Sequence, residues 1–217
     1  MLYILYIYYI CNICNVTKND LKLRNLEEVN IRILQTSNFK PQLKDRMKKI
    51  LENENIKRAG IIPFVKRNNT VMFIMGLDEA IASISDFGGT REVTDADPFE
   101  TALREFKEES FGVLGSLKRT NILSAPFIIG ETGFHGEEGV LFFVKYKDEF
   151  PFFSKMREFK ERNVPGDETK ALVFITREQL LAGLDQREER IQSSKVFLFH
   201  PKVQSVLLSG KETIECL

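Results

Sequence analysis

Gly88-Gly89-Thr90-Arg91-Glu92, running on to Arg104-Glu105-Phe106-Lys107-Glu108-Glu109, is the stretch whose reading decides the rest of the chain. It reads as a glycine turn, a polar loop and then a helix from about Pro98 to Phe111, with Asp97 as N-cap and Pro98 in the first turn. A helix turns about 100° per residue, so positions i, i+3 and i+4 share a face. Glu105, Glu108 and Glu109 have that spacing, with Thr101 on the same side one turn earlier. Phe99, Leu103 and Phe106 fall on a different face, which can pack on a core. Like charges this close destabilise a helix. Two readings of the glutamates stand at this point. They form a solvated acidic face screened by Arg104 and Lys107, or they hold a hard divalent cation, which takes oxygen ligands together with substrate phosphates.

The same residues resemble the Nudix box, the signature of the Nudix hydrolases. That pattern runs Gly, five residues, Glu, seven residues, then Arg-Glu-apolar-any-Glu-Glu-any-Gly-apolar. Arg104 to Glu109 matches its most informative part, and Gly89 matches its opening glycine. Two departures stand out. Counted from Gly89, the first acidic position falls on Asp95, and the gap from there to Arg104 is one residue too long. Phe111 stands where the pattern has glycine, with Gly112 one place late. The resemblance implies an α+β Nudix fold, a mixed β-sheet sandwiched between helices. It implies a Mg²⁺-dependent hydrolase (Mn²⁺ accepts the same ligands) that cleaves a diphosphate linkage in a nucleoside-diphosphate-linked substrate by water attack.

Carried onto this sequence, the resemblance makes Glu105, Glu108 and Glu109 metal ligands. Arg104 orients a neighbouring glutamate, and Gly89 and Arg91 meet substrate phosphate. Asp95 and Asp97 are the two candidates for the missing first glutamate. The general base varies in this family and can lie outside the box; Glu168, Glu137 and Glu138 are the candidates. Phe64, Phe73, Phe127 and Phe134 are candidates for an apolar slot at the far end of the substrate. Two other functions remain open. One is removal of the 5′ cap from RNA, served by the basic stretch 40–67; the other is a Nudix-fold module that binds a ligand without turning it over.

The chain is 217 residues long with 31 basic and 31 acidic side chains, so its net charge argues for no partner class. Hydrophobic content of 43% and charged content of 29% are those of a soluble globular protein. The front is uneven: from Lys18 to Arg67 there are eight Lys and five Arg against two Asp and four Glu, a distribution that suits phosphates or RNA or simply a solvated helix. Three cysteines with no second metal-ligand pair fit a reducing, cytoplasmic setting. Residues 1–16 form an apolar N-terminal extension, too short for a stable membrane span, which needs about 20 residues. Residues 17–57 read as a basic, partly helical segment, with a short strand around Val29-Ile31-Ile33 and a helix over Pro41–Ile56. Residues 58–217 read as the Nudix domain, and the family implies a homodimer.

Within that domain the pattern predicts strands over 59–66 and 71–77 around the turn Arg67-Asn68-Asn69-Thr70. It predicts further strands over 81–87, 122–129, 140–146 and 171–175. Residues 147–167 read as a lid or partly helical insertion. Thr176-Arg177-Glu178-Gln179 reads as a capping box opening a helix through Leu181, and a last helix spans 201–208, stopped by Gly210.

Overall fold

The structure is a computed structural model that describes residues 41–78, 83–133, 136–164, 168–185 and 198–217. The extension at 1–16, Cys11, Cys14 and the strand expected near Val29 lie outside those residues. The chain divides into two units, Met1–Glu52 and Asn53–Leu217. In the first unit, helix α1 spans Pro41–Leu51. It is five residues shorter than the apolar stripe suggested: the Asn53 side chain accepts from Asn55 N–H, and Ile56 already belongs to a strand. A short asparagine side chain offers the backbone a turn in place of another helical bond.

The second unit carries an eight-stranded mixed sheet with helices on both faces. Strand β1 (Ile56–Arg67) and strand β2 (Thr70–Asp78) form a hairpin whose turn residues Asn68 and Asn69 both have positive φ, the backbone that a two-residue hairpin requires and asparagine tolerates. Along its other edge β1 pairs in parallel with β6 (Glu138–Lys145), which pairs in turn with β5 (Phe127–Glu131). Strand β2 pairs with β7 (Ala171–Thr176).

The hairpin does not stay closed. Residues 64–67 of β1 pair with 70–73 of β2, but residues 58–61 pair instead with β4 (Phe87–Thr90), and residues 76–78 of β2 pair with β3 (Ser83–Ser85). The two long strands part, and β3–Asp86–β4 enters the gap. The expected strand over 81–87 is therefore two strands, β3 and β4, broken at Asp86. β8 (Leu198–Phe199) closes the order beyond β3.

Helix α2 (Pro98–Glu109) lies against β1 and β4. Phe99 stacks on Phe142 at 5.2 Å and Phe106 meets Phe87 edge-on at 5.6 Å. The opposite sheet face buries Ile62, Phe64, Phe73, Leu141 and Phe143 together with side chains of three later helices. These are α5 (Arg177–Asp185), α6 (Pro201–Leu208) and α7 (Lys211–Glu215). With both faces covered, β1 is buried from Arg58's neighbour Ala59 through Val65 without alternation.

Of the later elements, one changed type, one is helical as the sequence allowed and one is longer than expected. Ile122 and Leu123 belong to the short helix α3 (Arg119–Leu123), not to a strand, which begins only at Phe127; an apolar run this short does not distinguish a buried turn from a strand. The insertion contains helix α4 (Phe152–Arg162), whose Phe152 and Phe159 pack on Phe174 and Phe111. The capping box holds, Gln179 N–H donating to Thr176 Oγ1 and Thr176 N–H to Gln179 Oε1, but α5 runs on to Asp185. The helix at 201–208 is present as read.

Candidate active site

The glutamate helix starts and stops for local reasons. Asp97 accepts at its side chain from Phe99 N–H and Glu100 N–H, and Pro98 fills the first helical position. Arg119 holds the same Asp97 carboxylate from the far side, so Asp97 is engaged as a cap. At the other end Gly112 N–H donates to the Lys107 carbonyl and Phe111 N–H to the Glu108 carbonyl, a Schellman exit. That motif wants a left-handed residue where this chain has Phe111, and Phe111 adopts φ 50°. The conformation the family pattern gives to glycine is thus kept here by a phenylalanine, whose ring rests 4.9 Å from that of Phe159. The helix itself ends at Glu109, two residues before the expected stop.

Gly88 and Gly89 are not a turn. They lie within β4, opposite Gly60 and Ala59, and neither has positive φ. The reason for glycine is space. A Cβ on Gly89 would sit 2.3 Å from Glu105 Oε1, and one on Gly88 would sit 2.4 Å from the Gly60 Cα. A Cβ on Gly60 would sit 1.7 Å from Asp86 Oδ2. The three glycines let helix α2 press its carboxylates onto the sheet where β1 and β2 part.

Under that contact lies a buried ion pair. Arg58 donates to Asp86 through both terminal nitrogens, at 2.9 and 2.6 Å, and to the Gly88 carbonyl at 2.8 Å. Burial pulls the Arg58 guanidinium down, but Asp86 outweighs it, with Glu109 and Glu105 adding, and the group is held above its ordinary value. Glu109 accepts from Gly88 N–H at 2.7 Å. Its carboxyl is pushed up to about 9, chiefly by burial and then by the nearby Asp86, with Glu105 adding. Glu105 is raised as well, first by burial, although Arg104 opposes the shift.

Arg104 sits over the loop that carries the extra residue. It donates to both Asp95 oxygens at 3.1 and 3.0 Å and to the Thr90 carbonyl, and it lies 2.8 Å from Glu105 and 3.1 Å from Glu108. Asp95, buried and also accepting from Glu92 N–H, is held below the usual carboxylate range by Arg104 and that amide against the opposing effect of burial. Of the two acidic candidates in the loop, Asp95 therefore joins the box arginine and Asp97 caps the helix.

Glu105, Glu109, Gly88, Gly89 and Glu168 line a polar cavity of about 390 Å³. A neighbouring, shallower one of about 340 Å³ brings Glu108 to Glu105, Glu109 and Glu168. Glu168 thus reaches the box glutamates from the segment before β7. Glu137 and Glu138 do not: Glu138 Oε2 accepts from Asn53 at the far end of β6, and neither lines these cavities. Arg91 stays outside the larger cavity, its guanidinium donating to the Ala96 carbonyl at 2.8 Å. Phe64 and Phe73 are core, Phe127 packs on Phe142, and Phe134 lies outside the described residues. Nothing in the sequence singled out Arg58, Asp86 or His200, and His200 lines the larger cavity together with Lys202 and Thr169. These come from β1, β3–β4 and α6, and no local motif marks them.

Among the described residues, no three His, Cys, Asp or Glu side chains converge closely enough to hold a metal ion as they stand. Glu105 and Glu108 are turned onto Arg104, and Glu109 onto Gly88. The donor chemistry nevertheless suits a hard cation: carboxylate oxygens only, one of them raised well above its ordinary value by burial and by the nearby Asp86.

Solved structures similar to this chain include two Nudix proteins. A MutT/nudix family protein from Enterococcus faecalis is 12% identical, with a TM-score of 0.45, over 89% of this chain and 76% of that one. The Nudix hydrolase RenU from M. smegmatis is 11% identical, with a TM-score of 0.40, over 75% of this chain and 88% of that one. A binary complex of a C. elegans Ap4A hydrolase is 15% identical, with a TM-score of 0.36, over 58% of this chain and 84% of that one. No family model and no curated protein sequence matches the chain. No helix among the described residues is long and apolar enough to cross a membrane.

Proposed function

We propose that this protein hydrolyses a diphosphate linkage in a nucleoside-diphosphate-linked compound, with a divalent cation, Mg²⁺ or Mn²⁺, held by Glu105, Glu108 and Glu109. The observation that carries the reading is the meeting of Glu105, Glu109 and Glu168 on one polar cavity, where the sheet parts beside Gly88-Gly89. Carboxylates pressed together at a half-buried site raise one another's cost of ionisation, and a cation relieves it. When bound, such a cation offsets charge on the phosphates and makes a water more acidic.

The chain's own residues divide the remaining work. Gly88 N–H orients Glu109 by its hydrogen bond. Arg104, anchored on Asp95, holds Glu105 and Glu108 within reach of the cavity and screens their mutual repulsion. Glu168, exposed and lining the same cavity, accepts a proton from the attacking water. The proton leaves that water as its oxygen bonds to phosphorus, and the second phosphate departs with the bridging oxygen.

A double Glu108→Gln, Glu109→Gln variant tests the assignment. Hydrolysis of a panel of diphosphate compounds with Mg²⁺ is expected to vanish while circular dichroism and melting remain those of a folded protein. Unchanged turnover would sink the reading. Capped RNA belongs in the same panel, since steep salt dependence on that substrate alone would point to the basic front of the chain.

A further inference from the structure

Two opposite charges lie buried where β1, β3 and β4 meet. The Arg58 side chain is 8% exposed and that of Asp86 0%. A buried ion pair adds little net stability over apolar side chains of the same size, because taking two charges out of water offsets their attraction. Stability alone therefore does not account for this pair. What it does that apolar groups would not is direct hydrogen bonds.

Those bonds converge on the chain that β3 delivers to β4. Asp86 is the residue at which the two strands break, and it accepts from both terminal nitrogens of Arg58 and from the Ser85 hydroxyl. Its Oδ2 fills the space that a Cβ on Gly60 or on Gly88 would take. Arg58 reaches on to the Gly88 carbonyl, while Gly88 N–H donates to Glu109 Oε2. Strand β4 is four residues long and, among the described residues, pairs with β1 alone, so no second strand holds it. Two side chains hold Gly88 instead, Glu109 at its N–H and Arg58 at its carbonyl. Glu105 rests on the next residue, Gly89, so both carboxylates lie against the segment that the pair grips.

We propose that Arg58 and Asp86 are positioning residues for the metal-site carboxylate of Glu109: the pair fixes the Gly88 segment, and Gly88 N–H fixes the carboxylate. The assignment rests on the reading of Glu109 as a metal ligand given above. Neither residue touches substrate or cation; both act through Gly88. Removing an outer partner that orients a ligand costs about 10- to 100-fold in metal affinity. The pair carries no net charge as a whole. Replacing both members by apolar side chains leaves the net charge beside the glutamates unchanged, so a loss of cation affinity in that variant reports placement and not charge.

The test is calorimetric titration of the metal-free full chain with Mn²⁺, in wild type, in the pair variant Arg58→Met, Asp86→Leu, in Arg58→Lys and in Ile214→Ala. Ile214 is buried in α7 with the core of the opposite sheet face, so its truncation lowers stability without touching β4. The pair variant is expected to stay folded, read by melting and circular dichroism, and to bind Mn²⁺ about tenfold more weakly or worse. Arg58→Lys keeps the charge but loses the planar fork that spans Asp86 and the Gly88 carbonyl, and its affinity is expected to fall between the two. Ile214→Ala is expected to melt lower and bind Mn²⁺ as wild type does. Wild-type affinity in a folded pair variant would overturn the positioning role, as would equal weakening in Ile214→Ala. If the pair variant does not fold, wild-type affinity in Arg58→Lys overturns it. Absence of Mn²⁺ binding to wild type would sink the metal assignment and this role with it, whereas binding that the pair variant keeps in full would remove this role alone.

Discussion

Glu109→Gln is the perturbation that asks most of this site. The carboxyl titrates near 4.5 in an unfolded chain and at about 9 in the folded one, because it is buried beside Asp86 and Glu105. The folded protein therefore keeps a proton that the unfolded chain releases as pH rises through 4.5. Between those two values stability falls by about 1.4 kcal/mol per pH unit. From pH 5 to pH 8 that amounts to about 4 kcal/mol in the absence of divalent cations. Glu105, raised in the same direction by burial, adds to the slope.

Glutamine keeps an oxygen to accept from Gly88 N–H and turns an amide toward Asp86, but it does not titrate. Its urea midpoint, measured with chelator from pH 5 to pH 8, is expected to stay flatter than that of wild type, with the two curves diverging as pH rises. Mg²⁺ is expected to stabilise wild type more at pH 8 than at pH 5, since it competes with a proton for the same oxygens, and to act less on the variant. Parallel pH profiles for the two proteins in chelator would refute the reasoning, because they would mean that Glu109 is no harder to ionise in the fold than outside it.

Two further substitutions separate space from chemistry at the box. Gly88→Ala drives a methyl into the Gly60 backbone and is expected to lower stability by about 2 kcal/mol or more, read by melting. Gly89→Ala meets only the movable end of Glu105, so it is expected to keep most of the stability while costing about 100-fold in turnover through a misplaced carboxylate. At the helix exit, Phe111→Gly removes left-handed strain of about 1 kcal/mol but also the ring packed on Phe159, and a net loss of stability is expected. In a Phe159→Ala background the ring has lost its partner, so the same substitution is expected to turn stabilising. A loss of equal size in both backgrounds would show that the contact with Phe159 is not what offsets the strain at Phe111.

Much of this site was legible one residue at a time. The i, i+3, i+4 spacing of Glu105, Glu108 and Glu109 needs only the helical period, and Asp97-Pro98 needs only the rules of helix entry. Thr176 and Gln179 announced their helix for the same reason. These are interactions within one turn, so neighbours in sequence are neighbours in space. Errors came where a local signal had two meanings. A glycine pair stands for a turn or for close approach, and only the position of Glu105 over β4 decides between them. The apolar run at Ile122 served a short helix as well as a strand.

The sequence by itself determined the acidic helix, its cap, the hairpin at Asn68-Asn69 and the departure at Phe111. Only the tertiary structure decided what faces those glutamates. Arg58 and Asp86 meet beneath them because β1 and β2 part and β3–β4 enters between them. Glu168 and His200 arrive from chain segments far beyond Glu109 in the sequence, through strand pairings at β7 and β8. No short pattern encodes such a meeting, since the energy that fixes it comes from burying the two faces of the sheet and not from the residues that meet. The box glutamates were readable as a face of a helix; the cavity they share with a histidine and a lysine exists only once the sheet has opened.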